Sequence, residues 1–89
     1  MRLGKLGAMV TQKKLKFAVS FGGVIRQKRT TLGLTQEELA EQLDVHVTVI
    51  SRLERGASPP SFVTLMKVSE ALGTPLSELF RAAEALNEL

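Results

Sequence analysis

The stretch LTQEELAEQLDVHVTVISRLERG, residues 34–56, decides the fold. Thr35 and Glu38 have the spacing of a capping box, in which each side chain bonds the other residue's backbone amide, so a helix is predicted to begin after Thr35. The turn at residues 44–46 separates this helix from a second one. That second helix is predicted to end at Gly56, because glycine readily adopts the left-handed conformation found at helix C-termini.

Two short helices joined by a three-residue turn must cross steeply, and the apolar residues fit such a crossing. Ala40 is small where the helices are predicted to touch, while Val45, Ile50 and Leu53 would hold the angle between them. The β-branched run 45–50 favours a strand by propensity, but its neighbours are helical and a lone strand has no partner. A helix-turn-helix is therefore predicted, with its second helix free to enter a major groove about 12 Å wide.

Helical signals continue on both sides of this stretch. Apolar residues at helical spacing predict a first helix from Ser20 to Gly33, and Ser61 begins a fourth helix that ends at Gly73. A fifth helix follows, with Thr74 predicted as its N-cap and Pro75 as its first residue. The sequence thus predicts an all-α domain of five helices over residues 18–89.

Residues 1–17 are predicted to form a flexible basic arm, since they lack a clean apolar stripe and carry five basic residues. The Gly7–Ala8–Met9 stretch within this arm resembles a cloning scar.

Composition excludes several classes of protein. The chain of 89 residues has no Cys, Trp or Tyr and only one His, so disulfides, thiolate zinc sites, cysteine nucleophiles and base-stacking platforms are not expected. No metal or cofactor is predicted. The longest run of aliphatic, Met and Phe residues is three, which is too short for a membrane span or a signal peptide, so a cytoplasmic location is expected.

Charge is distributed unevenly along the chain. Residues 1–36 carry eight basic and no acidic residues, whereas residues 37–89 carry four basic and nine acidic ones. A basic half opposite an acidic half suggests that one side meets a polyanion such as DNA, although a solvated basic tail would have the same composition.

From Phe21 to Phe80 the chain resembles the lambda-repressor/Cro-like (XRE) family of bacterial and phage helix-turn-helix regulators. The resemblance rests on Ile25–Arg26, Arg29, 33–36, 38–40, 50–51, 53–56, 60–61, Leu65, 71–73 and 79–80. It implies a compact domain of five helices that binds double-stranded DNA as a two-fold dimer.

The resemblance also implies roles for individual residues. Gln36 matches a phosphate-binding glutamine, and Arg29 and Glu54 match a pair that ties the first helix to the third. Three positions depart from the family: Asp44 replaces the usual Gly, His46 replaces the usual Ser or Thr, and Val47 replaces a residue that is more often polar. The residues expected to contact DNA are Gln36, His46, Val47, Thr48, Ser51, Arg52 and Arg55.

The function predicted from these observations is that of a sequence-specific regulator of transcription, most simply a repressor, that binds an inverted-repeat operator. The exposed guanidinium of Arg52 suits bidentate contact with guanine. A phage repressor, a restriction–modification controller and a host regulator all remain open. The alternative is a protein-interaction module on the same fold, such as an antitoxin-like or anti-repressor subunit. No acid–base or nucleophile arrangement suggests an enzyme.

Two further partners are predicted. Phe80, Ala83 and Leu86 continue a helical stripe past the main domain, which predicts a homodimer interface unless residues 81–89 simply fray. Glu37, Glu38 and Glu41 are predicted to form a capping and solvated face, and the alternative is that they contact RNA polymerase.

Overall fold

Five helices make up the part of the chain that the computed structural model describes, namely the backbone of residues 4–87 and the side chains of residues 16–87. The helices are α1 (Gly4–Thr31), α2 (Gln36–Leu43), α3 (Val47–Arg55), α4 (Phe62–Leu72) and α5 (Leu76–Asn87). The predicted all-α fold with α2 and α3 as the helix-turn-helix is confirmed.

Local signals set most helix ends as predicted. The Thr35 hydroxyl accepts a hydrogen bond from the Glu38 amide at 3.0 Å, and the Thr35 amide donates to the Glu38 carboxylate at 2.9 Å. Bonding from the Thr35 amide, and then from its hydroxyl, lowers the pKa of Glu38. Helices α2, α3 and α4 are followed by residues with left-handed backbone, at Asp44 (φ 55°), Gly56 (φ 67°) and Gly73 (φ 61°).

The core lies where α1 packs against α3 and α5. Phe21 packs against Phe80 with the two rings tilted and their centroids 5.3 Å apart, and Lys28 Nζ lies 3.9 Å from Glu78 Oε1. The buried apolar residues are Phe21, Val24, Ile25, Leu39, Ala40, Leu43, Ile50, Leu53, Val68, Leu72, Leu79 and Ala83.

The structure corrects the prediction of a flexible arm over residues 1–17, because the backbone of α1 is helical from Gly4 onward. Residues 1–3 lie outside the described residues. Residues 4–17 contain glycine but no proline, so nothing blocks a helix there. Since the segment from Phe17 onward is already packed, extending the helix backward requires no new nucleus.

The predicted dimer stripe on α5 is also corrected. Ala83 is fully buried in the protein's own core, and Phe80 is half-buried against the rings of Phe17 and Phe21. Of the three predicted residues, Leu86 alone is exposed, at 43%. The reason is that α1 is longer than expected, so Phe17 contributes to covering the part of α5 that was predicted to need a partner.

The start of α5 differs slightly from the prediction. Its first helical residue is Leu76, which places Pro75 at the cap position. The Thr74 hydroxyl donates to the Leu72 carbonyl at 3.2 Å, and among the described residues it accepts no hydrogen bond from an α5 amide. None of the helices described is both long and apolar enough to cross a membrane.

Candidate nucleic-acid interface

A buried ion pair fixes α3 to α1. Arg29 Nε donates to Glu54 Oε2 at 2.6 Å, and Arg29 Nη2 donates to Glu54 Oε1 at 2.9 Å. Both residues are only 8% exposed. The hydrogen bonds that Arg29 donates to Glu54 outweigh burial and raise the pKa of Arg29, so the guanidinium stays charged. The structure thus brings together the two residues that the family resemblance pairs.

Gln36 belongs to the same network, which the sequence does not reveal. Its Nε2 donates to Glu54 Oε1 at 3.0 Å, and Arg29 Nη1 donates to the Leu34 carbonyl at 2.7 Å. The network therefore joins α1, the α1–α2 turn, α2 and α3. Because a primary amide carries two N–H groups, Gln36 retains a second donor for the phosphate contact expected of it.

The outward face of α3 is polar and basic. Thr48, Arg52 and Arg55 are exposed and Ser51 is half-buried. At 100° per residue these four side chains lie on one side of the helix. The opposite side carries the buried residues Ile50, Leu53 and Glu54.

Two valines flank the outward face of α3. Val47, predicted to face DNA, is half-buried and packs partly against the core, so it lies at the edge of the outward face. Val49, which was not among the predicted DNA contacts, is 36% exposed.

His46 caps the N-terminus of α3. Its Nδ1 accepts a hydrogen bond from the Thr48 amide at 3.1 Å, and the Thr48 Oγ1 lies 2.7 Å from the same nitrogen. The ring thus takes the place of the hydroxyl cap that is usual in the family.

A close backbone contact sets the distance between α1 and α3. A Cβ placed on Gly22 would lie 2.6 Å from the Glu54 carbonyl oxygen and even closer to that of Leu53. A Cβ on Gly56 would meet the Val19 backbone at 2.6 Å. Glycines therefore allow α1 to lie directly on the C-terminal turn of α3. A glycine inside a predicted helix is the one sequence signal that marks Gly22.

The acidic residues of α2 divide into two groups. Glu38 is engaged in the capping box, whereas Glu37 and Glu41 are exposed. A contact between these carboxylates and RNA polymerase stays a prediction. Among the described residues, no group of three or more His, Cys, Asp or Glu side chains could hold a metal ion.

Comparison with known proteins agrees with this geometry. A family model described as "Helix-turn-helix" matches residues 25–79. An uncharacterized HTH-type transcriptional regulator of Methanothermobacter thermautotrophicus is 46% identical over 50 residues, covering 56% of this chain and 72% of that protein. Control protein C.MunI of a Mycoplasma species is 37% identical, covering 74% of this chain and 90% of its own.

A solved structure shares the fold. The crystal structure of the clp gene regulator ClgR from C. glutamicum superposes with a TM-score of 0.73 at 32% identity. The match covers 78% of this chain and 90% of that chain.

Proposed function

The chain belongs to the helix-turn-helix family of DNA-binding transcriptional regulators, and we propose that it is a cytoplasmic repressor that binds an inverted-repeat operator as a homodimer. The observation that carries the proposal is the outward face of α3, where Thr48, Ser51, Arg52 and Arg55 project from a helix that the Arg29–Glu54 pair holds in place.

In this proposal α3 lies in the major groove and reads bases directly. The Arg52 guanidinium has the fork of donors that matches O6 and N7 of guanine. Gln36, at the N-terminus of α2, donates to a phosphate and fixes the register of the domain on the duplex. The protein bound to its operator would then exclude other proteins from the same DNA and so repress transcription.

Specificity should depend on Arg52. We expect Arg52→Ala to weaken binding to the selected operator by about 1–3 kcal/mol, with discrimination lost at one base pair per half-site. Dissociation constants for operator and random duplexes measure this. Arg81→Ala, which removes an exposed arginine from α5, is the control. It should leave the ratio of the two dissociation constants unchanged. Equal weakening on both duplexes would make Arg52 a phosphate contact instead.

The homodimer is proposed to form through α4 instead of α5. The outward face of α4 carries Phe62 (69% exposed), Val63 (60%) and Met66 (54%), followed by exposed Lys67 and Glu70. Three large apolar side chains on one face of a short helix are an association surface. A two-fold axis brings the face against its own copy, so it can set the lysine of one chain near the glutamate of the other.

This interface is tested with matched charge substitutions. We expect Met66→Glu to convert the dimer to a folded monomer in analytical ultracentrifugation and to weaken binding to a paired operator far more than to a single half-site. Val19→Glu is the control, because Val19 is equally exposed, at 55%, but lies on α1. A Met66→Glu protein that stays dimeric would remove the α4 interface from the proposal.

The DNA itself provides the overall test. Fragments of the source genome selected on the protein should share an inverted repeat whose half-sites lie about 34 Å apart, one turn of the duplex. If the selection enriches no sequence at low salt, the chain is better explained as a protein-interaction module on the same fold.

A further inference from the structure

The N-cap of α3 contains a hydrogen bond whose direction is not determined by geometry alone. His46 Nδ1 lies 2.7 Å from the Thr48 Oγ1, and either atom can supply the proton, depending on the state of the imidazole. Both side chains are exposed, and Thr48 belongs to the outward face of α3. The hydroxyl that is to meet a base edge is therefore already bonded to a titratable ring.

We propose that His46 is a specificity-determining residue, which sets whether the Thr48 hydroxyl donates or accepts a hydrogen bond at a base edge. The inference rests on the proposed function, since it assumes that α3 reads DNA. It deepens that function by adding a pH-dependent choice of base at one position.

The neutral ring makes Thr48 an acceptor. In the neutral form that caps α3, Nδ1 carries a lone pair and Nε2 carries the proton. At 2.7 Å the Thr48 hydroxyl donates to Nδ1, which uses its single hydrogen. The Oγ1 then offers only lone pairs to DNA, and the major-groove donors that fit them are the amino groups of adenine and cytosine.

The protonated ring makes Thr48 a donor. Once Nδ1 carries a proton it donates to Oγ1 across the same 2.7 Å, and the hydroxyl hydrogen turns outward. This hydrogen fits the acceptors O6 and N7 of guanine, N7 of adenine and O4 of thymine. The Thr48 amide, which lies 3.1 Å from Nδ1, loses its cap in the same step.

His46 carries the only imidazole in the chain, so a proton taken up by a histidine can be taken up only here. The charged residues of the neighbouring helices and of the α2–α3 turn are Glu37, Glu38, Glu41, Asp44, Arg52, Glu54, Arg55, Lys67 and Glu70. Among the described residues, none of them is hydrogen-bonded or ion-paired to the imidazole.

The experiment is selection of a randomised duplex library on the dimeric protein at about pH 8 and about pH 5.5, followed by sequencing. We expect the preferred base at one position of each half-site to differ between the two selections. Its relative enrichment should change by about three- to tenfold, which corresponds to one net hydrogen bond. The other selected positions should keep their ranking.

Three variants distinguish a role of His46 in base preference from a purely structural role as the cap of α3. His46→Asn keeps an acceptor that caps α3 at any pH, so its preference should be that of the wild type at high pH in both libraries. Thr48→Val removes the hydroxyl and should abolish the pH-dependent preference, whereas Thr48→Ser should keep it. Circular dichroism of each variant at both pH values checks that the fold is retained.

The possible outcomes test the role of His46 separately from the proposed function on which it rests. Enrichment of the same operator at both pH values by the wild type, or a pH-dependent preference that survives in Thr48→Val, overturns the role of His46 and leaves the repressor proposal standing. Failure of the wild type to enrich any sequence at either pH would overturn the proposed function itself.

Discussion

Replacing Gly22 by alanine is expected to destabilise the domain by about 3 kcal/mol, at the upper end of what overpacking costs. The added methyl group would lie 2.6 Å from the carbonyl oxygen of Glu54 and closer to that of Leu53. Both neighbours are backbone atoms, so no side chain can rotate away, and α1 must move off the C-terminal turn of α3. Urea denaturation followed by circular dichroism measures the change in the free energy of unfolding.

The adjacent residue provides a matched control. A Cβ on Gly23 would meet nothing within 4 Å, although Gly23 lies in the same helix. Gly23→Ala should therefore stabilise the protein by roughly 0.5–1 kcal/mol, because alanine loses less backbone freedom than glycine in a helix. If the two variants were equally stable, the close contact between α1 and α3 would not be a feature of the folded protein.

Breaking the buried ion pair should have a comparable or larger effect. Glu54→Gln keeps the shape of the side chain but removes its charge, and it leaves the Arg29 guanidinium buried without a carboxylate. We expect the free energy of unfolding to fall by about 3–5 kcal/mol, measured in the same denaturation experiment. Operator affinity should fall as well in protein that remains folded, because Glu54 also orients the Gln36 amide.

The surface pair between Lys28 and Glu78 is the comparison for this variant. Its atoms are 3.9 Å apart and its side chains are 39% and 57% exposed. Glu78→Gln should therefore cost less than about 1 kcal/mol, as is usual for exposed ion pairs. A loss of similar size in both variants would mean that burial does not govern the contribution of the Arg29–Glu54 pair.

The sequence by itself determined the features that depend on a few neighbouring residues. The capping box of Thr35 and Glu38, the Ser61 cap, and the left-handed Gly56 and Gly73 after α3 and α4 all lie where the pattern predicts them. Caps are readable because they satisfy backbone groups within one helical turn. The exposed positions of Thr48 and Arg52 follow in the same way from helical periodicity once α3 is recognised.

Only the tertiary structure decided which surfaces meet. The burial of Ala83 depends on packing between helices far apart in sequence, and so does the exposure of the apolar α4 face. The bond from Gln36 to Glu54 spans 18 residues, and the contact at Gly22 joins two backbones that no local pattern relates. Helical periodicity shows that a side of a helix is apolar, but which other segment covers that side is set by the chain as a whole.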